Sequence, residues 1–346
     1  MRGVVLAGTA VTRPDCVGSL YRLEEGGAWE KVASIPADAS VQAITPHPTE
    51  KDVVFAATRK GVFRSGDAGR TWAQLSAPTE GRQYWCVAIN PDNPNLMFAG
   101  GGPPGFFRSE DGGETWQATR CDHPERFKIT FGHSRAMKVA FHPTNPDILY
   151  SAVEINGLLV STDGGDSWRA ANNGVDHLSH VPELQNREVT DDDTEGMYDA
   201  HSVCTTKARP DTVFYGCRMG IFSTDDLGES LTDLEVRRFA PFRYTRDVRV
   251  SADDPRTLYA CFSIASRSHA GAMYRSTDLG ETWSRVDEAM TAKSTIMGFG
   301  VHAMDGRGVA SVTRHGQVFH TTDGCATWAE TQLPPDAGDA FCAAIL

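Results

Sequence analysis

Short runs of β-branched and aromatic residues recur along the chain, separated by Gly, Pro and Asp. Residues 41–48, 53–58, 61–65 and 71–75 form one set, and each run reads as a strand. The same order returns at 87–91 with 96–100 and at 139–143 with 148–152, and its opening strand returns again at 203–210 and 248–255. No stretch approaches the roughly 18 apolar residues of a membrane-crossing helix. The first residues carry one basic side chain and a short apolar run, too little for a secretory leader, and they read as a strand.

A turn motif punctuates these sets. Ser65-Gly66-Asp67-Ala68-Gly69-Arg70-Thr71-Trp72 returns at 109–116, 161–168 and 276–283. Copies at 224–231 and 321–328 carry Leu231 in place of Trp and Cys325 in place of Gly, and a decayed copy ends at Trp29. The seven copies follow one another at 43 to 63 residues. An Asp or Ser side chain accepts hydrogen bonds from its own turn, and Gly supplies the positive φ. The aspartates therefore read as turn staples rather than catalytic acids. The indole that follows is large enough to plug the gap between packed sheets.

Four-stranded units at this period predict an all-β fold, a single seven-bladed β-propeller over residues 1–346. The N-terminal segment supplies three strands before the first motif is passed. The surplus strand 340–346 completes that first blade and removes the exposed edges. A long insertion, about 172–198, falls on the face opposite the stapled turns.

The Ser-x-Asp-x-Gly-x-Thr-Trp copies resemble the Asp-box (bacterial neuraminidase, BNR) repeat, and the resemblance covers nearly the whole chain. Families with this repeat include sialidases, xyloglucan-active glycosidases, sortilin-type receptor domains and a photosystem II assembly factor. The resemblance implies Asp boxes on one face and an axial ligand pocket at the other. The Arg-Ile-Pro segment of sialidases is absent, their propellers usually have six blades, and one ring of seven differs from the tandem propellers of the xyloglucan enzymes.

Lys and Arg number 33 against 45 Asp and Glu, a formal net charge of -12. Such a surface repels nucleic acid and anionic lipid, so neither is an expected partner. The eight cysteines form no CxxC pair and read as small buried thiols, which places the protein in the cytoplasm.

Against this acidic background, arginines recur on the loops joining the second and third strands. Arg59, Arg218 and Arg314 occupy the same place in blades two, five and seven. Blade four has Ile155 there, next to Glu154, and Arg13 and Arg267 lie in longer versions of the loop. Converging guanidinium groups bind carboxylate or phosphate in fork geometry. The other reading is that each pairs with a neighbouring blade's acid. His133, Arg135, Tyr244, Arg246, His269 and His315 fall on the same face and complete the expected substrate-binding set. A Tyr84-Trp85 pair could stack on sugar, or be buried between blades.

Seven of the 11 histidines lie on segments of this face: His123, His133, His177, His180, His201, His269 and His315. No cofactor is required by the sequence, and a divalent metal held by these histidines is an open alternative. The run 191–193 reads as a solvated loop tip. The long insertion ends beside the axis with Tyr198, Asp199 and His201, opposite Glu154. Two carboxylates with a phenol or imidazole between them suit glycosidic cleavage or lyase chemistry. The sequence thus points to an axial-pocket enzyme, hydrolase or lyase, acting on a small or oligomeric anionic substrate, carboxylate-bearing and carbohydrate in kind. The alternative is a non-catalytic propeller that binds a protein partner as an assembly scaffold.

Overall fold

The computed structural model describes residues 3–79, 81–122, 134–186 and 196–346. His123, His133 and the acidic run 191–193 lie outside these. Seven sheets, each built on four antiparallel strands, are arranged as a β-propeller. The innermost strands are Asp339–Ile345, Val41–Pro46, Gln83–Ile89, Arg135–Phe141, Ala200–Thr206, Tyr244–Val250 and Ile296–Val301, for blades one to seven in turn. Each packs against the inner strand of the next blade, and Asp339–Ile345 touches both Val41–Pro46 and Ile296–Val301, so the ring closes. The closure is as expected from the sequence: Asp339–Ile345 pairs antiparallel with Val4–Ala10.

The hydrophobic core is divided between the blades. In one such layer Trp168 of blade four, 1% exposed, stacks on Phe106 of blade three with ring centroids 4.1 Å apart. Burying such a ring excludes water from the seam between two sheets.

The Asp-containing turns are stapled as expected. Ser65 Oγ donates to Asp67 Oδ1 at 2.7 Å and accepts from the Gly69 N–H at 2.9 Å. The Asp67 carboxylate also takes the Thr71 N–H at 2.9 Å and the Thr71 hydroxyl at 2.6 Å. Slight burial opposes ionisation, but these hydrogen bonds from Thr71 and Ser65 win and hold Asp67 down at about 2. The worn copy keeps the geometry, with Cys325 at φ +71° where a glycine stands elsewhere.

Two elements differ from the sequence reading. The fourth strand expected at 71–75 is only Ala73–Gln74, because the Thr71 N–H is committed to Asp67 instead of a strand partner. Blade four gains a fifth strand, Arg120–Asp122, parallel to Ser167–Ala170. The insertion at 172–198 contains a helix, Asn173–Ser179, and a short turn, Pro182–Leu184. No helix among the described residues is long and apolar enough to cross a membrane.

One irregularity repeats in every blade. Each inner strand skips a partner near its start: Val41 and Ala43 pair with consecutive residues and leave Gln42 out, and Ala200 and Ser202 do the same around His201. The residues left out in the other blades are Trp85, Met137, Arg246, Met297 and Phe341. A β-bulge re-aims the unpaired side chain. All seven line the axis.

Candidate functional site

On the face opposite the stapled turns the axis opens into a cavity of about 510 Å³. Its wall includes six arginines: Arg59, Arg135, Arg218, Arg246, Arg267 and Arg314. Trp85, Glu154, Asp199, His201 and Tyr244 complete the chemically active lining. Loops between the second and third strands deliver Arg59, Arg218, Arg267 and Arg314, and the bulges deliver His201 and Arg246.

Glu154, Asp199 and His201 converge, with one ligating atom of each lying within 4.8 Å of the others. Glu154 is held from two blades: Arg135 Nη1 lies 3.0 Å from Oε2, and Arg246 Nη1 lies 3.7 Å from Oε1. Asp199 lies between Arg218 Nε at 3.0 Å and His201 Nε2 at 3.2 Å. His201 Nδ1 donates to the Thr245 carbonyl at 2.7 Å, which leaves Nε2 to face the carboxylate. Burial pushes the Asp199 carboxyl up, but His201, Arg218 and Arg246 together outweigh it and hold the group well below the usual carboxylate range.

The tyrosine of the cavity is Tyr244. Its ring tilts against His201 at 5.0 Å, and the Arg218 guanidinium lies over it at 5.4 Å. Burial pushes its phenol up to about 12, so it stays protonated. Trp85 faces the cavity, and Arg135 covers its ring at 4.2 Å, while Tyr84 is fully buried between blades.

The arginines sort into two groups. Arg135, Arg218, Arg246 and Arg314 face carboxylates; Arg314 Nε meets Asp339 Oδ2 at 2.7 Å. Arg59 and Arg267 face none among the described residues. Arg59 Nε is buried without a partner, and desolvation, then the nearby Arg135, lowers its pKa. Among the described residues, six guanidinium groups thus face three carboxylates in an otherwise acidic protein.

Four expectations need correction or fall outside the site. Tyr198 does not line the cavity; its ring is buried in the core of blades four and five, and its hydroxyl donates to Asp176 of the helix. The chain turns at Asp199, so neighbours in sequence face opposite ways. His315 is exposed and lines a separate rim cleft with Arg13 and Gln332. His269 is exposed and outside the cavity lining. His133 lies outside the described residues. Among the described histidines only His201 reaches the cavity, and His123 and His133 of the expected ring lie outside the described residues.

The profile of the Sortilin-Vps10 family (sortilin, neurotensin receptor 3) matches residues 60–247. The chain is 22% identical over 351 aligned positions to a xyloglucanase of Hypocrea jecorina, covering 90% of this chain and 41% of that enzyme, so it spans less than half that relative's length. Among solved structures, a GH74 xyloglucanase from Xanthomonas campestris superposes with a TM-score of 0.65 at 16% identity, over 88% of this chain and 46% of the other. YCF48 from Cyanidioschyzon merolae superposes at 0.59 and 15% identity, over 90% of both chains. The profile spans more than half of the sequence, and the chain belongs to the Sortilin-Vps10 family.

Proposed function

We propose that this protein is a glycoside hydrolase of the Asp-box class whose axial cavity takes a carboxylate-bearing oligosaccharide. The observation that carries this reading is the excess of guanidinium over carboxylate in a 510 Å³ cavity that also holds two close acids. The curated relatives named as xyloglucanases support hydrolysis of an oligosaccharide. The arginines support an acidic sugar over a neutral one.

Asp199, ionised and oriented by Arg218 and His201, is the nucleophile. Glu154 is the general acid. An incoming carboxylate that draws Arg135 and Arg246 towards itself leaves Glu154 beside new negative charge, the condition under which a carboxyl takes a proton. The short separation of the two acids supports a retaining displacement, since an inverting one needs carboxyl groups about 6.5–9.5 Å apart to admit water. Arg59 and Arg267, which no acid among the described residues holds, bind the substrate's carboxylate. No resident metal has a part in this scheme. The eight unpaired thiols support a reducing compartment, the cytoplasm.

A large exposed apolar patch on this rim would support a scaffold that docks a protein there. The only exposed large hydrophobic residues among those described are Ile264 and Met304, and they do not make one. The test is release of reducing ends from matched oligosaccharides with and without a uronate. Turnover of the acidic series alone is expected. Equal turnover of neutral chains, or none of either, overturns the reading.

A further inference from the structure

Beneath the catalytic cavity the axis continues as a second cavity of about 320 Å³. Two independent features of its wall have no use in the chemistry above. The first is charge. Lys138 reaches from blade four to the Asp247 carboxylate of blade six, Nζ to Oδ1 3.0 Å, and Arg249 Nε meets Oδ2 of the same group at 2.9 Å. Ser202 Oγ donates to Asp247 as well, at 2.9 Å. One carboxylate therefore serves two cations. Glu154 and Asp199, above, are already committed to Arg135, Arg246 and Arg218, so they cannot neutralise the remainder.

The second feature is Gln42, the bulged residue of blade two. It is 7% exposed and lines the same cavity, yet neither its amide nitrogen nor its amide oxygen meets a partner among the described residues. A buried amide without a partner is a cost that Leu at this place would not carry. The two cations that share Asp247 and an unpartnered N–H donor thus line one cavity. We infer that the mid-channel cavity binds a small monovalent anion, of halide size, between the Gln42 amide and the Lys138–Arg249 pair. Two cations on the one carboxylate of Asp247 leave one charge in excess at that pair, which suits a monovalent ion. The apolar part of the wall, Phe299, Phe341 and Val203, suits a weakly hydrated one. Arg249 also lines a wide funnel of about 860 Å³ on the opposite face, which gives the ion a route that avoids the sugar site.

The inference does not depend on the glycosidase reading, and neither does its test. Crystals grown in sodium bromide should show an anomalous peak in contact with Gln42 Nε2 and with Arg249 or Lys138. Only ordered water at that place, or no peak, overturns it. In solution, replacing sodium gluconate by sodium bromide at constant ionic strength should raise the thermal midpoint by about 2 °C, the size of shift from an ion present several-fold above its dissociation constant. Gln42→Leu should fold with at least the parent's stability in gluconate and lose most of the bromide increment. An equal increment in both proteins defeats the assignment.

Discussion

Arg218 and Asp199 meet twice: the guanidinium Nε donates to Oδ2 at 3.0 Å, and the Arg218 backbone N–H donates to the Asp199 carbonyl at 3.1 Å. The strand-two loop of blade five is thereby locked to the end of the long insertion. Asp199→Asn should remove the buried carboxylate that faces Arg218 and His201 and destabilise the fold by about 3–5 kcal/mol near neutral pH.

That same pair sets a pH dependence. The Asp199 carboxyl lies below its unfolded value, so its contribution is complete above about pH 4 and is lost as pH falls further. The stability gap between the parent and Asp199→Asn, followed by denaturation at successive pH values, should therefore narrow on acidification. A gap that stays constant from pH 7 to pH 3 contradicts this account.

Arg59→Ala and Arg267→Ala should each raise KM for an acidic oligosaccharide by about 10- to 100-fold, the worth of a charge-assisted hydrogen bond. Neither has an acidic partner among the described residues, so thermal midpoints should stay near the parent's. Unchanged KM in both variants would remove them from the substrate-binding set.

Glu154→Gln and His201→Ala should lower turnover by about 10²–10⁴. His201→Ala acts through the positioning of Asp199, so its pH–rate profile should shift, whereas Glu154→Gln should lose the limb that reports the acid. Retained turnover in Glu154→Gln, measured on the substrate of the parent, refutes its role.

Deleting residues 340–346 removes most of the inner strand of blade one and leaves Val4–Ala10 without its neighbour. An opened ring exposes two sheet edges. The truncated chain should be insoluble or strongly destabilised, and a parental melting curve would defeat the closure argument.

The blades were legible because their turns are written in side chains. Ser, Asp, Gly and Trp at fixed offsets can be read only one way once Asp67 is seen to need Thr71 and Ser65. Arg59, Arg218 and Arg314 were legible for the same reason, since loop alignment follows from the repeat. The inner strands were harder. Nothing in the run around Arg246 or His201 marks a residue without a ladder partner, because a bulge depends on the register of two strands together. Tyr198 shows the complementary failure. Its place beside Asp199 was plain, but the turn that sends it into the core is a property of the backbone.

A residue outside the ladder contributes no strand pairing of its own, so exchanging it leaves the neighbouring hydrogen bonds in place. Seven such positions surround one axis, each carried by a different blade. Related chains can diverge in ligand by substitution there alone, and the fold need not pass through an unstable ancestor on the way. A library randomised at Gln42, Trp85, Met137, His201, Arg246, Met297 and Phe341 would explore pockets without exploring architectures.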